Sequence, residues 1–366
     1  MKFNITRNKI LPSLQAVIGV IERRQSLPIL SNLLIVAEKE KITITATDLE
    51  VEMVVTIKHL SEEPGEITAP ARKLLDICRA LPDNSNIEIS FKENQAIVKS
   101  GKSRFTLATL SAKEFPSTEI LGDSKKITVA QREFKSLLED TMFSMGNQDV
   151  RYYLNGLLLE LGKESLRAVA TDGHRLALKE INVKTGVEET QQIIVPRKGV
   201  AELIKILDSG EEKISVEISQ NQLRVGKGEA QLTSKLIDGK FPDYLKVIPK
   251  EGAHPLTANR DILKQSLVRA SILTSEKYKG VRLILQKDLL KAFAHNPEQE
   301  EAEEEIEVEY GGEEIEIGFN VTYLLDALTA IKTERVILNI EDPNSSCLIL
   351  PENETECKYV VMPMRL

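Results

Sequence analysis

Hydrophobic residues recur along this chain with two spacings, one of three to four residues and one of two residues, in segments that follow each other. Apolar residues spaced three to four positions apart predict helices over residues 7–20, 72–81, 132–143, 197–207, 260–270 and 320–332. Between them, strict alternation predicts short strands, for example over residues 41–46, 87–91, 96–99, 214–218 and 335–340. Short strands with one helix in each half-repeat are typical of antiparallel sheets that carry helices on one face. The pattern therefore predicts an α+β fold.

The same landmarks recur three times along the sequence. Asp48, Asp172 and Asn296 each follow a predicted strand, and successive members lie 124 residues apart. An apolar residue followed by proline closes each unit, at positions 115–116, 241–242 and 362–363. This self-similarity predicts three repeated domains of antiparallel sheet with two helices each. We expect their boundaries in two short polar turns, which gives domains over residues 1–125, 126–252 and 253–366.

Charge is distributed unevenly between the predicted helices and the rest of the chain. The 366 residues carry a formal net charge of −8. The six predicted helices hold 14 Lys and Arg residues against 7 Asp and Glu residues, a net of +7, which leaves −15 for the remainder. Solvated helix faces often carry mixed charge, so an ordinary surface is one interpretation. The other is a helix-lined surface that attracts phosphate groups while the rest of the chain repels them.

Composition narrows the class of protein further. Hydrophobic residues make up 42% of the chain, which is enough for packed cores. The sequence has no run of 18 apolar residues, and its first residues lack the apolar centre of a signal peptide. Its three cysteines, Cys78, Cys347 and Cys357, show no CxxC spacing, which argues against a disulfide framework or a zinc site. We expect a cytoplasmic protein without a metal, a cofactor or a membrane contact.

Two segments of the third repeat have an unusual composition. Residues 298–305 (EQEEAEEE) form an acidic run, which is either a solvated loop or helix or an ion-pair surface for another molecule. In the second case its natural partners are the basic residues Lys73, Lys102 and Arg104 of the first repeat. Residues 358–366 (KYVVMPMRL) form either a final strand with a docked tail or a pocket lined by methionine, whose side chain adapts to several partner peptides.

Signals for catalysis are weak. The sequence contains neither GxxxxGK[ST] nor GxGxxG, so no cradle for nucleotide phosphates is predicted. Asp172 and His174 stand together at the turn of the second repeat, and a hydrolase would need a nucleophile beside them. Thr171 is adjacent but lies at a strand end without a GxSxG elbow. We expect His174 to be a hydrogen-bonded turn residue that also lines a groove.

Longer stretches in all three repeats carry a family resemblance. They are residues 27–30 (LPIL), 47–50 (TDLE), 70–73 (PARK), 100–105 (SGKSRF), 143–145 (FSM), 148–156 (QDVRYYLNG), 170–175 (ATDGHR), 195–199 (VPRKG), 233–236 (TSKL), 241–244 (FPDY), 296–301 (NPEQEE), 318–321 (GFNV) and 359–366 (YVVMPMRL). In these stretches the chain resembles the bacterial DNA polymerase III beta subunits, the beta sliding clamps. Strings of this length are far more specific than any short motif above.

The resemblance implies a ring and a non-catalytic function. Members of this family are head-to-tail homodimers whose helices surround duplex DNA, so the chain is expected to be a processivity factor with the DNA-clamp architecture. Retention on DNA is then topological, and phosphate contacts can be weak and independent of base sequence. The implied partners are duplex DNA, a second copy of the chain, the polymerase III catalytic subunit, the clamp loader, and other polymerases and repair proteins that bind through short peptides.

The resemblance also implies three sets of site residues. Partner peptides are expected in a groove between the second and third domains, formed by Arg151, Leu154, Thr171, Gly173, His174, Arg175, Leu176, Pro242, Lys246, Val247, Asn320, Tyr323, Ser346, Val360, Val361, Met362, Pro363, Met364 and Arg365. Lys246 stands where related clamps often have arginine. Contacts with DNA are expected from Arg24, Arg72, Gln148, Tyr152 and Tyr153. The dimer contact is expected to place Ile272 and Leu273 against Phe105 and Leu107, with Lys73, Lys102 and Arg104 near Glu298, Glu300, Glu301, Glu303 and Glu304.

Two alternatives belong to other functional classes. The first is a monomeric peptide-binding scaffold that does not encircle DNA, and the molecular mass in solution separates it from a dimeric ring. The second is a hydrolase that uses Asp172 and His174, and an assay for turnover of esters or phosphoesters addresses it.

Overall fold

The chain divides into two units, each built from two non-contiguous segments. A computed structural model describes residues 1–22, 27–92, 95–116, 122–250, 252 and 254–365. The first unit contains Met1–Lys135 and Lys198–Leu236, and the second contains Ser136–Arg197 and Ile237–Leu366. Arg24 and part of the second expected domain boundary, residues 251 and 253, lie outside the described residues.

Six α-helices lie in the described part of the chain, two in each predicted domain. They are α1 (Arg7–Val17), α2 (Ala71–Ala80), α3 (Gln131–Glu139), α4 (Arg197–Ile206), α5 (Arg260–Ser271) and α6 (Val321–Ala330). The side chains of Asn259 and Asn320 cap the amide groups that begin α5 and α6. The predicted helices 7–20 and 132–143 were too long, because α1 ends at Val17 and a separate 3-10 turn follows α3 at Met142–Ser144.

The first unit contains twelve strands in the described residues. They are β1 (Lys2–Thr6), β2 (Asn32–Ala37), β3 (Lys41–Thr47), β4 (Val51–Lys58), β5 (Gly65–Pro70), β6 (Asn86–Lys92), β7 (Gln95–Ser100), β8 (Ser103–Ala108), β9 (Lys125–Ala130), β14 (Lys213–Ile218), β15 (Gln222–Lys227) and β16 (Ala230–Lys235). One sheet has the order β1-β6-β7-β8, and the other has the order β5-β2-β3-β4-β16-β15-β14-β9.

The second unit also contains twelve strands in the described residues. They are β10 (Gly156–Leu161), β11 (Ser165–Thr171), β12 (Arg175–Asn182), β13 (Gln191–Pro196), β17 (Leu256–Asn259), β18 (Gly280–Gln286), β19 (Leu289–His295), β20 (Glu301–Glu307), β21 (Ile315–Asn320), β22 (Arg335–Asn339), β23 (Cys347–Pro351) and β24 (Cys357–Val361). They form sheets with the orders β13-β10-β11-β12-β24-β23-β22-β17 and β20-β19-β18-β21.

The predicted repeat is present in the topology of the sheets. Each strand number in the second eight-stranded sheet is eight higher than its counterpart in the first. The second predicted domain contributes β9 and β14–β16 to one eight-stranded sheet and β10–β13 to the other. The sheets therefore continue from one repeat to the next, where β4 pairs with β16 and β12 pairs with β24. All of these pairings are antiparallel, which confirms the predicted α+β class.

Apolar residues from helices and sheets form the cores. In the second unit, Leu263 and Leu267 of α5 and Leu324 and Leu328 of α6 pack with strand residues that include Phe319. The three cysteines are free and buried, and burial raises the pKa of the Cys78 thiol to about 11. No helix in the described ranges is long and apolar enough to cross a membrane.

The segregation of charge holds for the observed helices. Together they contain 13 Lys and Arg residues and 6 Asp and Glu residues, a net of +7, against −8 for the whole chain, which leaves −15 elsewhere. The acidic run 298–305 is a loop only over residues 298–300. The loop or helix interpretation was wrong for the rest of the run, because Glu301–Glu307 forms β20, a strand at the edge of its sheet.

Candidate functional site

The turn that joins β11 to β12 is fixed by its own side chains. The Thr171 hydroxyl donates to the carbonyl of Arg175 (2.6 Å) and accepts from the amide of Gly173 (3.1 Å). One Asp172 carboxylate oxygen accepts from the amides of His174 and Arg175 at 2.9 and 3.1 Å. Gly173 has a φ of +89°, a conformation that glycine adopts at little cost. The turn therefore presents the backbone and side chain of His174 in one orientation.

The first repeat builds the same turn between β3 and β4. Thr47 donates to the carbonyl of Val51, and one Asp48 oxygen accepts from the amides of Glu50 and Val51 at 2.9 and 2.7 Å. Leu49 takes the place of Gly173 with a φ of +80°. The first and second repeats thus share the Thr-Asp pair whose side chains make the hydrogen bonds of the turn. The residues that follow this pair differ between the two repeats.

Arg175 links this turn to two other elements. Its guanidinium group donates to the second carboxylate oxygen of Asp172 (3.1 Å), to the carbonyl of Phe143 (2.8 Å) and to the Asp326 carboxylate on α6. It also lies over the rings of Phe143 and Tyr323, 5.5 and 4.5 Å from their centroids. The predicted groove residues Arg175 and Tyr323 are therefore in direct contact.

The C-terminal tail lies beside the same turn. The Met362 amide donates to the carbonyl of His174 at 2.9 Å, and the Met364 amide donates to the carbonyl of Gly318 at 2.8 Å. The His174 ring stacks near the Tyr323 ring, with 6.4 Å between their centroids. Met362 and Met364 are half-buried, so part of each side chain remains available to a ligand.

An apolar cluster lies beneath these residues. Leu154, Leu176 and Val360 are each at most 3% exposed and pack with Phe241 and Tyr244. Burial raises the pKa of the Tyr244 hydroxyl to about 12, and this hydroxyl donates to Glu160 at 2.9 Å. The combination of an apolar base with a few oriented polar groups is typical of a ligand site.

Arg151 forms one side of the turn. It donates to the carbonyl of Asp172 at 3.0 Å, and a Cβ placed on Gly173 would lie 3.0 Å from two of its guanidinium nitrogens. The hydrogen bond from the Arg151 side chain lowers the pKa of the Asp149 carboxyl to about 2. A side chain at position 173 would thus disturb both the turn and the Arg151 guanidinium.

The other predicted groove residues vary in their surroundings. Asn320 is committed to its helix, because its side chain accepts from the amide of Thr322 at 2.9 Å. Pro242, Lys246 and Val247 are exposed and lie beside or within the 3-10 turn Tyr244–Val247. Val361 is buried, Pro363 and Ser346 are half-buried, and Arg365 is exposed.

The residues expected to contact DNA lie in different units. Gln148 and Tyr152 are exposed and Tyr153 is half-buried in the second unit, where the two tyrosine rings meet edge to face at 5.8 Å. Arg72 is exposed on α2 of the first unit and donates to the carbonyl of Ile21 at 3.0 Å. Arg24 lies outside the described residues.

The residues expected at the dimer contact lie on β8, on α2 and near α5 and β20. Lys73, Lys102 and Arg104 are exposed, Phe105 is half-buried, and Leu107 is buried within its own unit. Ile272 follows α5 and is 73% exposed, whereas Leu273 is half-buried.

The acidic run is partly engaged within its own chain. Glu304 pairs with Arg269 at 2.6 Å, and Lys291 pairs with Glu303 and Glu305. Glu298 and Glu301 are exposed, and Glu300 accepts from the side chain of Asn296 at 2.6 Å.

The arrangement does not form a hydrolase triad. Asp172 accepts from the backbone amide of His174 rather than orienting its ring, and the Thr171 hydroxyl is occupied by backbone groups of the turn. Phe143 and Asp326 lie beside the site but were not among the predicted residues. The repeat offers a signal for Asp326, because the acidic residue Glu202 stands 124 residues before it, but Phe143 has a glycine at the corresponding position and no such signal.

Comparison with known proteins extends the likeness over the whole chain. Residues 1–119, 128–243 and 245–365 match the N-terminal, central and C-terminal domains of the DNA polymerase III beta subunit. The beta sliding clamp of Pseudomonas putida is 50% identical over 368 residues, which cover 100% of both chains. A crystal structure of the DNA polymerase III subunit beta from Pseudomonas aeruginosa has a TM-score of 0.97 at 48% identity, and one of the sliding clamp from the same species bound to griselimycin has a TM-score of 0.96 at 49% identity, each over 100% of both chains.

Proposed function

Because the chain belongs to the DNA polymerase III beta subunit family, the beta sliding clamps, we propose that it is the processivity factor of a replicative DNA polymerase. It catalyses no reaction itself and keeps the polymerase on DNA. The observation that carries this function is the match of all three family domains along one chain. The monomeric peptide-binding scaffold is not favoured, because the relatives that match over their full length are DNA polymerase sliding clamps.

The chain is proposed to encircle duplex DNA as a ring. The net charge of +7 on the helices, against −15 elsewhere, supports a helix-lined hole that attracts phosphates. A closed ring needs no tight contact, since topology alone keeps it on DNA. Arg24, Arg72, Gln148, Tyr152 and Tyr153 are proposed to make weak contacts with the DNA that do not depend on its base sequence. The domains are proposed to span residues 1–125, 126–252 and 253–366.

The ring is proposed to form by pairing of two copies through their open sheet edges. β8 and β20 lie at sheet edges, and no other described strand covers their outer sides. Arg104 of β8 is basic, whereas five of the seven residues of β20 are glutamates. A head-to-tail contact between such opposite edges closes a ring when the rotation permits. Exposed Ile272 would then be buried against the β8 side of the second copy.

Partner proteins are proposed to bind in the groove between the turn 171–176 and the tail 360–365. Apolar side chains of a short peptide would pack on the cluster of Leu154, Leu176 and Val360, each contributing about 1.5–3 kcal/mol before ordering costs. Expected ligands are peptides of the polymerase III catalytic subunit, the clamp loader and other polymerases or repair proteins. The clamp of Pseudomonas aeruginosa has been crystallised with griselimycin, and we propose that this molecule also binds the groove of the present chain.

Primer extension tests the function. The polymerase III catalytic subunit and clamp loader of the same organism would copy a long primed circle with and without this protein, under single-encounter conditions. We expect much longer products only when the protein and the loader are both present. Products of equal length in all reactions would contradict the proposed function.

A further inference from the structure

Arg175 joins three separate elements of the second unit and is itself little exposed. Only 13% of its side chain is accessible to solvent. Its polar contacts reach Asp172 in the turn, the carbonyl of Phe143 in the 3-10 turn after α3, and Asp326 on α6. The rings of Phe143 and Tyr323 cover the guanidinium group. We call these five residues the arginine hub.

The first unit has the same turn and the same strand pairing but no arginine hub. Val51 occupies the place of Arg175, because its amide bonds to the carboxylate of the turn in the same way. The neighbouring strand is also equivalent, since Val51 pairs with Ser234 of β16 as Arg175 pairs with Val361 of β24. Arg175 and Val51 therefore stand at equivalent positions of the same backbone arrangement and differ only in their side chains.

The partners of the arginine change together with it. Counted from the start of each helix, Tyr323 and Asp326 are the third and sixth residues of α6, and Phe143 is the thirteenth from the start of α3. The residues at the same places in the first unit are Gly199, Glu202 and Gly19. The first unit thus has no counterpart of the Phe143 and Tyr323 rings, and it keeps only a carboxylate, that of Glu202, at the place of Asp326.

The first unit joins its turn to the helix differently, through an ion pair between Lys198 of α4 and Asp48. A Cβ added to Gly19 would lie 2.1 Å from a carboxylate oxygen of Glu202, so the backbone after α1 lies directly against that side chain. Glu202 is 4% exposed and pairs with Lys205 of its own helix at 2.6 Å. In the second unit, the Arg175 guanidinium bonds to both the Phe143 carbonyl and the Asp326 carboxylate and so joins the turn to α6.

We propose that Asp326 and Phe143 are positioning residues for the peptide groove. They hold Arg175, which fixes the distance between the turn that carries His174 and the helix that carries Tyr323. The arginine hub distinguishes this junction from the equivalent one in the first unit, where Gly19 and Glu202 border a different cavity. This inference deepens the proposed peptide-binding function and rests on it.

The test removes the charge of Asp326 while keeping its size. Asp326→Asn should weaken griselimycin binding by roughly tenfold in titration calorimetry, the effect expected from one coupled charged contact. Asp326→Glu should recover most of the affinity. In methyl NMR of the free protein, the signals of Met362 and Met364 should shift in Asp326→Asn, while the signal of Met53 in the first unit stays in place.

Two further variants complete the experiment. Glu202→Gln is the matched control at the equivalent place of α4, and it should leave griselimycin affinity unchanged. Phe143→Leu keeps the backbone carbonyl but removes the ring over Arg175, so it should also weaken binding. It replaces Asp326→Asn in the experiment if that variant does not fold.

Parental affinity and unshifted methionine signals in both Asp326→Asn and Phe143→Leu would overturn the inference. If the parent protein stimulates the polymerase but does not bind griselimycin, the same titrations with the polymerase catalytic subunit decide the inference. If the parent protein binds neither, the proposed groove itself fails.

Discussion

The backbone amide of Met362 donates a hydrogen bond of 2.9 Å to the carbonyl oxygen of His174. This bond extends the pairing of β12 with β24 by one step beyond Arg175 and Val361, where the regular ladder ends. It fixes the start of the tail against the turn, although the two residues are far apart in sequence. The turn at His174 therefore fixes the position of the tail, and the two form opposite walls of the proposed groove.

Deletion of residues 362–366 should remove this wall and leave the sheet intact. Val361 stays buried in β24 in the shortened chain, so folding and dimer formation should be retained. We expect loss of polymerase stimulation and of griselimycin binding, measured by primer extension and calorimetry. Glu354→Ala, which changes an exposed residue before β24 and outside the groove, is the control and should bind normally. Unfolding of the truncated protein would mean that the tail is structural.

Replacement of Ile272 and Leu273 by glutamate should give folded monomers. Ile272 is 73% exposed in the single chain, and we propose that a second copy covers it. Burial of a charge in that contact is costly, so the dimer should dissociate. Sedimentation velocity measures the change, and Leu60→Glu is the control at a side chain that is 75% exposed. A double variant that still sediments as a dimer would place the interface elsewhere.

Arg72→Ala should weaken DNA binding modestly and equally for all base sequences. If its guanidinium contacts phosphate, the slope of log K against log salt should fall by roughly one for each contact removed. Binding isotherms at several salt concentrations provide this slope. Arg282→Ala is the matched loss of a positive charge on a strand, where Arg282 pairs with Glu316 at 3.3 Å, and it should leave the slope unchanged. If Arg72→Ala and Arg282→Ala gave the same slope of log K against log salt, Arg72 would not be a DNA contact.

Glu52 should make the stability of the fold depend on pH. Burial raises the pKa of its carboxyl from 4.5 to about 7, while the charge of Arg224 acts in the opposite direction. Between these values the folded chain binds a proton that the unfolded chain releases, so the contribution of Glu52 to stability is lost as pH rises through 7. Glu52→Gln should therefore raise the thermal midpoint more at pH 8 than at pH 5. Exposed Glu66→Gln is the control, and an equal effect of Glu52→Gln at both pH values would contradict the prediction.

The sequence predicts this fold best where the chemistry is local. The turns at Asp48 and Asp172 could be predicted because each carboxylate bonds to amides two and three residues later. The contact of Arg175 with Asp326 spans 151 residues and exists only because β12 pairs with β24. A contact of this kind depends on sheet register and helix packing, which the local pattern does not contain.

The acidic run illustrates the same limit. Its high charge indicated a solvated loop or helix, but Lys291 on β19 and Arg269 on α5 neutralise part of it and allow it to pair as β20. Contacts with residues distant in sequence therefore make most of the run a strand, although its glutamates remain at the surface. The residues at the groove were predicted through the family resemblance, whereas the arginine hub required the observed contacts.

Retention on circular DNA tests the central proposal most directly. The protein would be loaded onto a nicked circle by its loader and separated from free protein by gel filtration in high salt. A ring around DNA should stay with the circle and be released when a restriction enzyme linearises it, because a ring can slide off an end. Equal retention on circular and linear DNA, or no retention on either, would contradict an encircling clamp.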